Sequence, residues 1–357
     1  MLVLKDKKAV VFKATNIDAV LTAIPSARKI TLRGTDLVAV PHKLDETKVL
    51  RNLGYPAPSP IMHYYDWPGR YTPFDHQRQT AAFLTMHKKA IVLNEIGTGK
   101  SLSALWAADY LMRLGVIKKV LIVSPLSTLE RVWGDSIFSE LPTRQGVVMH
   151  GTAARRLKML HTKSDFYIIN HDGLSVIEPE IEGFFDLIIV DEAAVLRNPS
   201  TQRFKTMRRI MAKSPDAKLW LMTGTPTPNE PTDAWTLAKL LDSPELKKSY
   251  VSFRDSVMIK VADWKYIPKP SAPETVARVL TPSIRFSREQ CLDLPDTIFQ
   301  TRMAELTPEQ KAAFKKMLKD FVVEAEAGTI TAANEAVKAM KLEIGRASCR
   351  ERVSSPV

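Results

Sequence analysis

The residues best suited to chemistry are a lysine and a serine, Lys100 and Ser101, that follow a glycine-bearing turn. Gly97 and Gly99 allow the backbone to curl so that successive N–H groups face one anion. In such a turn the lysine neutralises the β- and γ-phosphates of a nucleotide, and the serine hydroxyl ligates Mg²⁺. The strict motif has glycine where this chain has Asn94, so the match is to the shorter G-x-G-K-[ST] form. An ordinary glycine-rich turn is the alternative to a nucleotide site made by Gly97, Thr98, Gly99, Lys100 and Ser101.

Two adjacent carboxylates, Asp191 and Glu192, form the second candidate. They follow the apolar run at residues 187–190, which predicts a buried strand. In that position Asp191 can hold Mg²⁺ through water, and Glu192 can accept a proton from an attacking water. A solvated acidic turn has the same composition when it occurs alone. Because the pair occurs in one chain with the turn at Lys100, the sequence predicts a P-loop ATPase that uses ATP and Mg²⁺.

The elements that must position these residues follow a repeated order of strand, turn and helix from about residue 71 onward. Short apolar runs predict the strands, at residues 90–93, 120–123, 147–149, 167–169, 187–190 and 219–222. This order is typical of an α/β fold, a parallel sheet with helices on both faces. Function in such sheets is located at the carboxyl ends of the strands. We therefore expect Lys100, Asp191 and Glu192 to meet at one rim of the sheet.

Residues 1–54 have the pattern of a small α+β domain. Strands are predicted at 9–12, 29–32 and 37–40, with one helix capped by Asn16 and a second that ends at Gly54. The basic residues of this part allow an accessory DNA-binding domain, although a docking domain with a solvated basic face is the simpler interpretation. Residues 55–70 combine prolines with aromatic residues, which predicts an extended linker packed on its neighbour. Stacking of those aromatic rings on bases is the alternative.

The whole chain is basic and lacks signals for membrane insertion. Its 357 residues carry a formal net charge of +12, which favours a polyanionic partner such as nucleic acid. No apolar run approaches the roughly 20 residues of a membrane span, and a charged break interrupts the start where a signal peptide needs its apolar region. Cys291 and Cys349 are too few and too far apart for a disulfide framework or a zinc site. We expect a soluble cytoplasmic protein.

The motifs between about Thr72 and Leu342 resemble, in order and spacing, the first RecA-like lobe of Swi/Snf-type members of helicase superfamily two. These are double-stranded-DNA translocases, and the chain is similar to the compact helicases of this type found in bacteriophages. The matching segments are FDHQRQTAAFL (the glutamine motif), NEIGTGKS (motif I), VLIVSPLSTLERVW (motif Ia), IINHDGL (a backbone-contacting motif), DEAAVLRNPST (motif II) and LMTGTPTPN (motif III). The resemblance implies a RecA-like lobe over residues 71–300 that binds ATP and Mg²⁺ and acts on double-stranded DNA.

The resemblance also implies roles for residues beyond the phosphate and metal motifs. Gln77 would read the adenine edge. Nucleotide state would be coupled to movement by Thr223, Gly224 and Thr225. The family usually has histidine where this chain has Ala194, a position that links motif II to motif III. The usual link between those two motifs is therefore not carried over to this chain.

Candidate contacts to nucleic acid come from loops and from one helix. The loops that touch the DNA backbone in the family correspond here to Ser124, Pro125, Asn170 and His171. Independently of the resemblance, Ser200 is predicted to cap a helix whose buried stripe is Phe204, Met207 and Met211. The opposite face carries Arg203, Lys205, Arg208 and Arg209, which can meet phosphates. A solvated helix face explains these basic residues equally well.

The last part of the chain, residues 301–342, predicts helices. Thr307, Pro308 and Gln310 form a capping box for a helix to about residue 327, and another helix covers 332–342. In the family such a segment leads into a second RecA-like lobe, which supplies an arginine to the ATP site. Residues 343–357 begin with EIGRASCRERV, which matches the translation of a common sequencing-adapter read. We therefore expect a truncated reading frame that binds Mg²⁺-ATP weakly and hydrolyses it slowly, with little stimulation by DNA.

Two alternatives belong to other classes of function. An RNA helicase lobe of the same superfamily would usually carry a PTRE-like motif Ia and SAT at motif III, whereas this chain has PLST and TGTP. The other alternative is a catalytically silent nucleic-acid-binding scaffold, in which a degenerate nucleotide site only supports the fold. Intact Lys100, Asp191 and Glu192 argue against that scaffold. The sequence gives no protein partner.

Overall fold

The computed structural model describes residues 1–247, 249–263 and 265–291, and further along the chain residues 307–308, 311–312, 315, 322–325 and 328–331. The chain forms two compact units, Met1–Asp293 and Leu294–Val357. The first unit contains a small antiparallel sheet followed by a larger parallel sheet. No helix in the part of the chain that the structure describes is long and apolar enough to cross a membrane.

The small sheet contains β1 (Leu2–Leu4), β2 (Ala9–Phe12), β3 (Arg28–Leu32) and β4 (Thr35–Pro41), and its helices are α1 (Ile17–Ala23) and α2 (Leu44–Asn52). The strands are antiparallel in the order β1-β2-β4-β3. Fully buried Val10, Val38 and Leu50 form part of its core. Asn16 caps α1 as predicted, because its side chain accepts the Ala19 N–H at 2.9 Å. The three predicted strands are confirmed, whereas β1 has only three residues and no alternating pattern that could reveal it.

Aromatic residues connect this sheet to the larger one. After the short helix α3 (Ile61–Tyr64), the Tyr65 hydroxyl donates to Asp109 Oδ2 at 2.8 Å. The Trp67 ring lies edge-on to the Trp106 ring with centroids 5.8 Å apart, and the Trp106 indole N–H donates to the Pro68 carbonyl at 3.1 Å. These rings therefore pack on the neighbouring helix. The prediction of an extended chain is wrong over Ile61–Tyr64, which forms α3, and the assignment of 55–70 as a linker stays a prediction.

The large sheet is parallel throughout and has the order β13-β5-β10-β9-β6-β8-β7. Its strands are β5 (Lys89–Val92), β6 (Val120–Ser124), β7 (Gly146–Val148), β8 (Phe166–Asn170), β9 (Leu187–Asp191), β10 (Lys218–Met222) and β13 (Ser283–Ile284). A separate antiparallel hairpin consists of β11 (Met258–Ala262) and β12 (Lys265–Pro268). All six predicted strands are confirmed, and β13 was missed because two residues give no periodic signal.

Helices cover both faces of this sheet. They are α4 (Asp75–Met86), α5 (Lys100–Arg113), α6 (Asp135–Glu140), α7 (Ala153–Leu160), α8 (Leu174–Ile177), α9 (Gln202–Lys213), α10 (Ala234–Leu240), α11 (Tyr250–Val257), α12 (Ala272–Val279) and α13 (Arg288–Cys291). Successive residues of β9 point to opposite faces: Leu187 and Ile189 enter a core with Trp106 of α5, while Ile188 and Val190 enter a core with Phe204 of α9. The predicted α/β fold is therefore confirmed.

The predicted cap of helix α9 is wrong. Helix α9 is capped by Thr201, whose hydroxyl accepts the Phe204 N–H at 3.4 Å, and not by Ser200, which hydrogen-bonds to the side chain of Asn198. Its buried stripe of Phe204, Met207 and Met211 is confirmed.

In the second unit, the helix predicted to run to residue 327 is wrong over 322–325. Those residues form β14 (Val322–Ala325), antiparallel to β15 (Gly328–Thr331). The β-branched residues Val322, Val323, Thr329, Ile330 and Thr331 favour strands over a helix, which explains the difference. The described residues between 308 and 315 are helical, as predicted. Gln310, the helix predicted at 332–342 and the tail at 343–357 lie outside the described residues.

Candidate active site

The carboxyl ends of three neighbouring strands are level with one another. Met222 of β10 pairs with Val92 of β5 on one side and with Asp191 of β9 on the other. The N–H of Thr223 donates to the Val92 carbonyl at 3.0 Å. The segments that leave these strands therefore start from one rim, which brings the predicted phosphate, magnesium and coupling motifs together.

The glycine-bearing turn after β5 has the backbone of an anion site. Gly97 has φ +87° and Gly99 has φ +77°, both in the left-handed region that favours glycine. A Cβ on Gly99 would lie 2.0 Å from the Gln77 side-chain nitrogen, so any larger residue here would displace the end of that side chain. The N–H groups of Gly99, Lys100 and Ser101 find no acceptor in the described chain. They lie at the start of the 14-residue helix α5, where the helix dipole favours negative charge.

The Lys100 side chain folds over this turn. Its ammonium group donates to the carbonyls of Asn94 at 2.9 Å and Glu95 at 3.0 Å. Burial lowers the pKa of Lys100, whereas the carboxylates of Glu192 and Asp191 act to raise it. The lysine therefore lies within electrostatic reach of both carboxylates, and it folds over the turn whose N–H groups have no acceptor among the described residues.

Asp191 is 9% exposed and is held from three directions. The Trp133 indole N–H donates to its Oδ2 at 3.1 Å, and the Glu192 N–H donates to its Oδ1 at 3.1 Å. His171 Nε2 lies 2.9 Å from the Asp191 backbone carbonyl, which fixes the proton on that nitrogen because a carbonyl only accepts. Burial raises the pKa of Asp191, while the bonds from Trp133 and Glu192 act to lower it.

Glu192 is exposed as a whole residue, although its carboxylate is partly desolvated, and its backbone is unusual for a residue other than glycine. Its φ of 49° and ψ of 50° are left-handed, which turns the chain away from β9. Burial, and then the charge of Asp191, raise the pKa of Glu192 above that of an ordinary glutamate, and Lys100 opposes this. A carboxylate with a raised pKa is a better proton acceptor, as a general base requires.

The residues present fit magnesium bound together with a nucleotide. No group of three or more His, Cys, Asp or Glu side chains that could hold a metal occurs in the described residues. Mg²⁺ is commonly bound by one or two protein oxygens with phosphate oxygens and water completing its shell. Ser101 and Asp191 supply that small donor set, and no described residue hydrogen-bonds to the Ser101 hydroxyl. The assignment of individual residues to phosphate or metal stays a prediction.

Asn94, the departure from the strict motif, joins the turn to two other segments. It is fully buried, its Nδ2 donates to Thr80 Oγ1 of α4 at 2.9 Å, and its Oδ1 accepts the Phe286 N–H at 3.1 Å. The residue therefore braces the base of the turn against α4 and the segment after β13. Sequence reasoning missed this role because Phe286 lies far along the chain.

Both ends of the Gln77 amide are already bonded. Its Oε1 accepts the Phe74 N–H at 3.0 Å, and its Nε2 donates to the Thr98 carbonyl at 3.3 Å. Beside it lies a cavity of about 510 Å³ whose lining includes Phe74, His76, Gln79, Arg285 and Phe286. Apart from the predicted glutamine motif, no sequence signal pointed to this lining.

The predicted coupling residues lie against the glycine-bearing turn. Thr223 is fully buried and its Oγ1 accepts the Thr225 N–H at 3.2 Å. A Cβ on Gly224 would be 3.5 Å from the Asn94 carbonyl. The methyl side chain of Ala194 cannot form a hydrogen bond. The backbone carbonyl of Ala194 accepts from the Arg197 side chain at 3.3 Å. The coupling role of Thr223, Gly224 and Thr225 stays a prediction.

Most residues predicted to meet nucleic acid are engaged within the protein. Ser124 is fully buried, and the His171 ring is buried against Asp191. Asn170 Oδ1 accepts from Arg156 at 2.8 Å, and Arg203 makes two bonds to Asp172, at 2.6 and 2.9 Å. Pro125, at the end of β6, accepts the Thr128 N–H at 3.1 Å through its carbonyl. Arg208 is exposed and has no ion-pair partner among the described residues.

Comparison with known proteins gives a family for this site and fold. The family model of the SNF2-related domain matches residues 76–352. Protein p41 of Acyrthosiphon pisum secondary endosymbiont phage 1 is 26% identical over 291 residues, covering 76% of this chain and 63% of that protein. The uncharacterized ATP-dependent helicase YqhH of Bacillus subtilis (strain 168) is 28% identical over 177 residues, covering 48% of this chain and 29% of the helicase.

A solved structure has the same fold. The SWI2/SNF2 ATPase core of Sulfolobus solfataricus in complex with double-stranded DNA matches with a TM-score of 0.51 and 20% identity, covering 78% of this chain and 58% of that one. The chain belongs to the SNF2-related domain family and is a Swi/Snf-type ATPase of helicase superfamily two, with a RecA-like α/β lobe. The predicted resemblance is thereby confirmed.

The chain spans 63% of the phage protein and 29% of YqhH. The family match continues to residue 352, beyond the predicted boundary at 343. It therefore gives no support to an adapter-derived tail, and the division of the chain into domains stays a prediction.

Proposed function

We propose that this chain is the ATP-binding lobe of a DNA-dependent ATPase that translocates on double-stranded DNA. The observation that carries the proposal is the arrangement of Lys100, Asp191 and Glu192 at one rim of the sheet, within electrostatic reach of one another. Membership of the SNF2-related family supports the use of ATP. Translocation is an activity of the whole protein, and the chain spans only part of its relatives.

The proposed chemistry assigns a separate task to each side chain. ATP and Mg²⁺ supply the phosphoanhydride bond and the cation that offsets its charge. Lys100 would exchange the carbonyls of Asn94 and Glu95 for phosphate oxygens, next to the N–H groups of the turn that have no acceptor in the described part of the chain. Asp191 and Ser101 would hold Mg²⁺, and Glu192 would accept the proton of the attacking water.

The cavity beside the turn supports a place for the base. The exposed ring of Phe74 stacks on His76 with centroids 5.7 Å apart, and Phe286 faces His76 at 6.0 Å. These flat groups suit an adenine ring. For Gln77 to read the adenine edge, its amide would exchange the 3.3 Å bond to Thr98, the longer of its two bonds, for one to the base.

Duplex DNA is the proposed track because of charge and relationship. The chain carries a net charge of +12, and the Sulfolobus ATPase core was solved with double-stranded DNA. We expect the chain with a non-hydrolysable ATP analogue to bind a short duplex DNA at least about tenfold more tightly than the matching duplex RNA, as measured by fluorescence anisotropy at fixed salt. Tighter binding of the RNA would favour the RNA helicase alternative.

A silent scaffold makes a different prediction at Lys100. Lys100→Ala removes the charge that is proposed to meet phosphate, so the affinity for a fluorescent ATP analogue with Mg²⁺ should fall by at least about tenfold. The exposed residue Lys163 offers a matched control, and Lys163→Ala should leave the affinity unchanged. Nucleotide binding that survives Lys100→Ala would point to the scaffold.

A further inference from the structure

A second cavity lies away from the ATPase rim. Its volume is about 670 Å³, and it is lined by residues of α2, α3 and the ends of α4 and α5. Lys218, at the first residue of β10, also lines it. Strand β10 runs from Lys218 to the rim that carries Thr223. The cavity therefore lies at the amino ends of the strands, opposite the ATPase rim. Nothing in the proposed ATPase chemistry uses it.

Positive charge is in excess around this cavity. Lys8, Lys43 and Lys218 line it, and none of them has an ion-pair partner in the described chain. The other lining cations are already paired: Lys48 with Asp45 at 3.2 Å, and Arg113 with Asp66 and Asp109, each at 2.8 Å. Glu46 is the remaining acidic lining residue, and it accepts one long bond from Ser26 at 3.4 Å. Burial, and then the charges of Lys48 and Lys88, lower the pKa of Lys218, while Asp45 acts to raise it.

Hydrogen-bond donors also face this space. Helix α2 has nine residues and begins at the cavity without a side-chain cap. The N–H groups of Leu44, Asp45 and Glu46 have no acceptor among the residues described, as is typical of a helix start that can hold an anion.

Tyr110 provides an independent observation. It lines the cavity and is only 5% exposed, yet no hydrogen bond to its hydroxyl is formed within the described structure. Burial, with a smaller contribution from Tyr64, raises the pKa of Tyr110 to about 12, so the hydroxyl keeps its proton and can donate. A largely buried side chain whose hydroxyl reaches the cavity without a partner in the described structure, beside cations that form no described ion pair, indicates a polar ligand.

We propose that this cavity binds a small phosphorylated ligand with a flat aromatic body, the chemistry of a nucleotide. The phosphate would meet Lys43, Lys218 and the start of α2, and the aromatic body would lie among Tyr64, Tyr110 and Leu111. The volume falls within the roughly 300–1,000 Å³ of ligand sites. Because α2 packs with the small sheet and Lys218 belongs to the large sheet, such a ligand would contact both parts of the first unit.

The test removes the ATP site from the measurement. AMP is titrated without Mg²⁺ into the full chain carrying Lys100→Ala, and binding is followed by isothermal titration calorimetry. We expect one equivalent to bind. Adding Lys43→Ala and Lys218→Ala should weaken AMP at least about tenfold, because two charged donors are lost. Adding Tyr110→Phe, which removes only the hydroxyl, should weaken it roughly threefold to tenfold.

Controls make the result decisive. Adding Lys163→Ala, an exposed lysine that does not line the cavity, should change nothing. Tyr110→Phe keeps the ring, so it tests the site even where the double lysine variant fails to fold, as judged by circular dichroism. No AMP binding, or AMP binding that all cavity variants leave unchanged, would overturn the proposal. If inorganic phosphate binds as tightly as AMP, the claim that the cavity recognises an aromatic body is overturned.

The ligand could be a free nucleotide or the terminal nucleotide of a strand. A short oligothymidylate with a 5′-phosphate distinguishes these sources in the same titration. Tighter binding of AMP supports the free nucleotide, and tighter binding of the oligonucleotide supports the strand end, provided that Tyr110→Phe weakens it. Tight binding of the oligonucleotide that Tyr110→Phe leaves unchanged would place it elsewhere and count against the cavity.

Discussion

The residues assigned to the nucleotide differ from those assigned to nucleic acid in how much of their bonding capacity is already used. At the turn after β5, backbone N–H groups and the Ser101 hydroxyl have no hydrogen-bond partner among the described residues. Among the nucleic-acid candidates, Ser124 and His171 are buried, and Arg203 is paired with Asp172. A motif can therefore locate a residue at the correct rim without revealing whether its side chain is free. The proposed DNA contacts depend most on exposed groups such as Arg208.

The largest effect is expected at Glu192. Glu192→Gln preserves size but removes the proton acceptor, so single-turnover hydrolysis of Mg²⁺-ATP should slow by about 10²- to 10⁴-fold while nucleotide affinity changes little. In the parent chain, the rate should fall with decreasing pH through a pKa above that of a free glutamate, because burial and Asp191 favour the protonated form. This fall in rate at low pH should be absent in Glu192→Gln. A variant that hydrolyses ATP at the parent rate would exclude Glu192 as the base.

A smaller effect is expected at Trp133, which acts through Asp191. Trp133→Phe keeps an aromatic ring in the core but removes the N–H that holds Asp191 Oδ2 at 3.1 Å. Loss of such a supporting bond typically costs about 10- to 100-fold in metal affinity or activity. The Mg²⁺ concentration for half-maximal nucleotide binding should therefore rise. Trp220→Phe is the matched control, because Trp220 is also in the core but its indole N–H donates to the His87 carbonyl and not to Asp191. An equal rise in both variants would reduce Trp133 to a packing role.

The smallest effect is expected on helix α9, where two arginines differ in their partners. Arg208→Ala should weaken duplex DNA binding at all sequences and reduce the slope of log affinity against log salt by about 1 if the exposed side chain meets one phosphate. Arg203→Ala should have less effect, since Arg203 is bound to Asp172. The comparison is measured by anisotropy over a salt series. A larger loss of affinity in Arg203→Ala than in Arg208→Ala would show that the ion pair between Arg203 and Asp172 opens when DNA binds.

The sequence revealed most of the fold because its strands are strong local signals. Six apolar runs predicted six strands of the large sheet, and Asn16 marked the start of α1. The errors arose where local signals compete or are short. Ser200 and Thr201 can both cap a helix, and the strand pair at Val322–Ala325 and Gly328–Thr331 follows a plausible capping box. Two-residue β13 depends on pairing with β5, a contact between distant segments.

The site was predictable in its reactive residues but not in their supports. Lys100, Asp191 and Glu192 are short motifs with a recognisable order. Trp133, Asn94 and the segment at Arg285 and Phe286 support them through bonds between residues far apart in the chain. Such contacts depend on tertiary packing, which composition and periodicity do not encode.

The central claim is that Lys100, Asp191 and Glu192 share one magnesium-nucleotide pocket. Fe²⁺ can replace Mg²⁺ in such a site and, with ascorbate and peroxide, cleave the backbone next to the metal. With an ATP analogue bound, mass spectrometry should locate cleavage both in the turn at residues 97–101 and at residues 191–192, and Lys100→Ala should abolish both. Cleavage at only one of these segments, or at neither, would contradict the shared pocket.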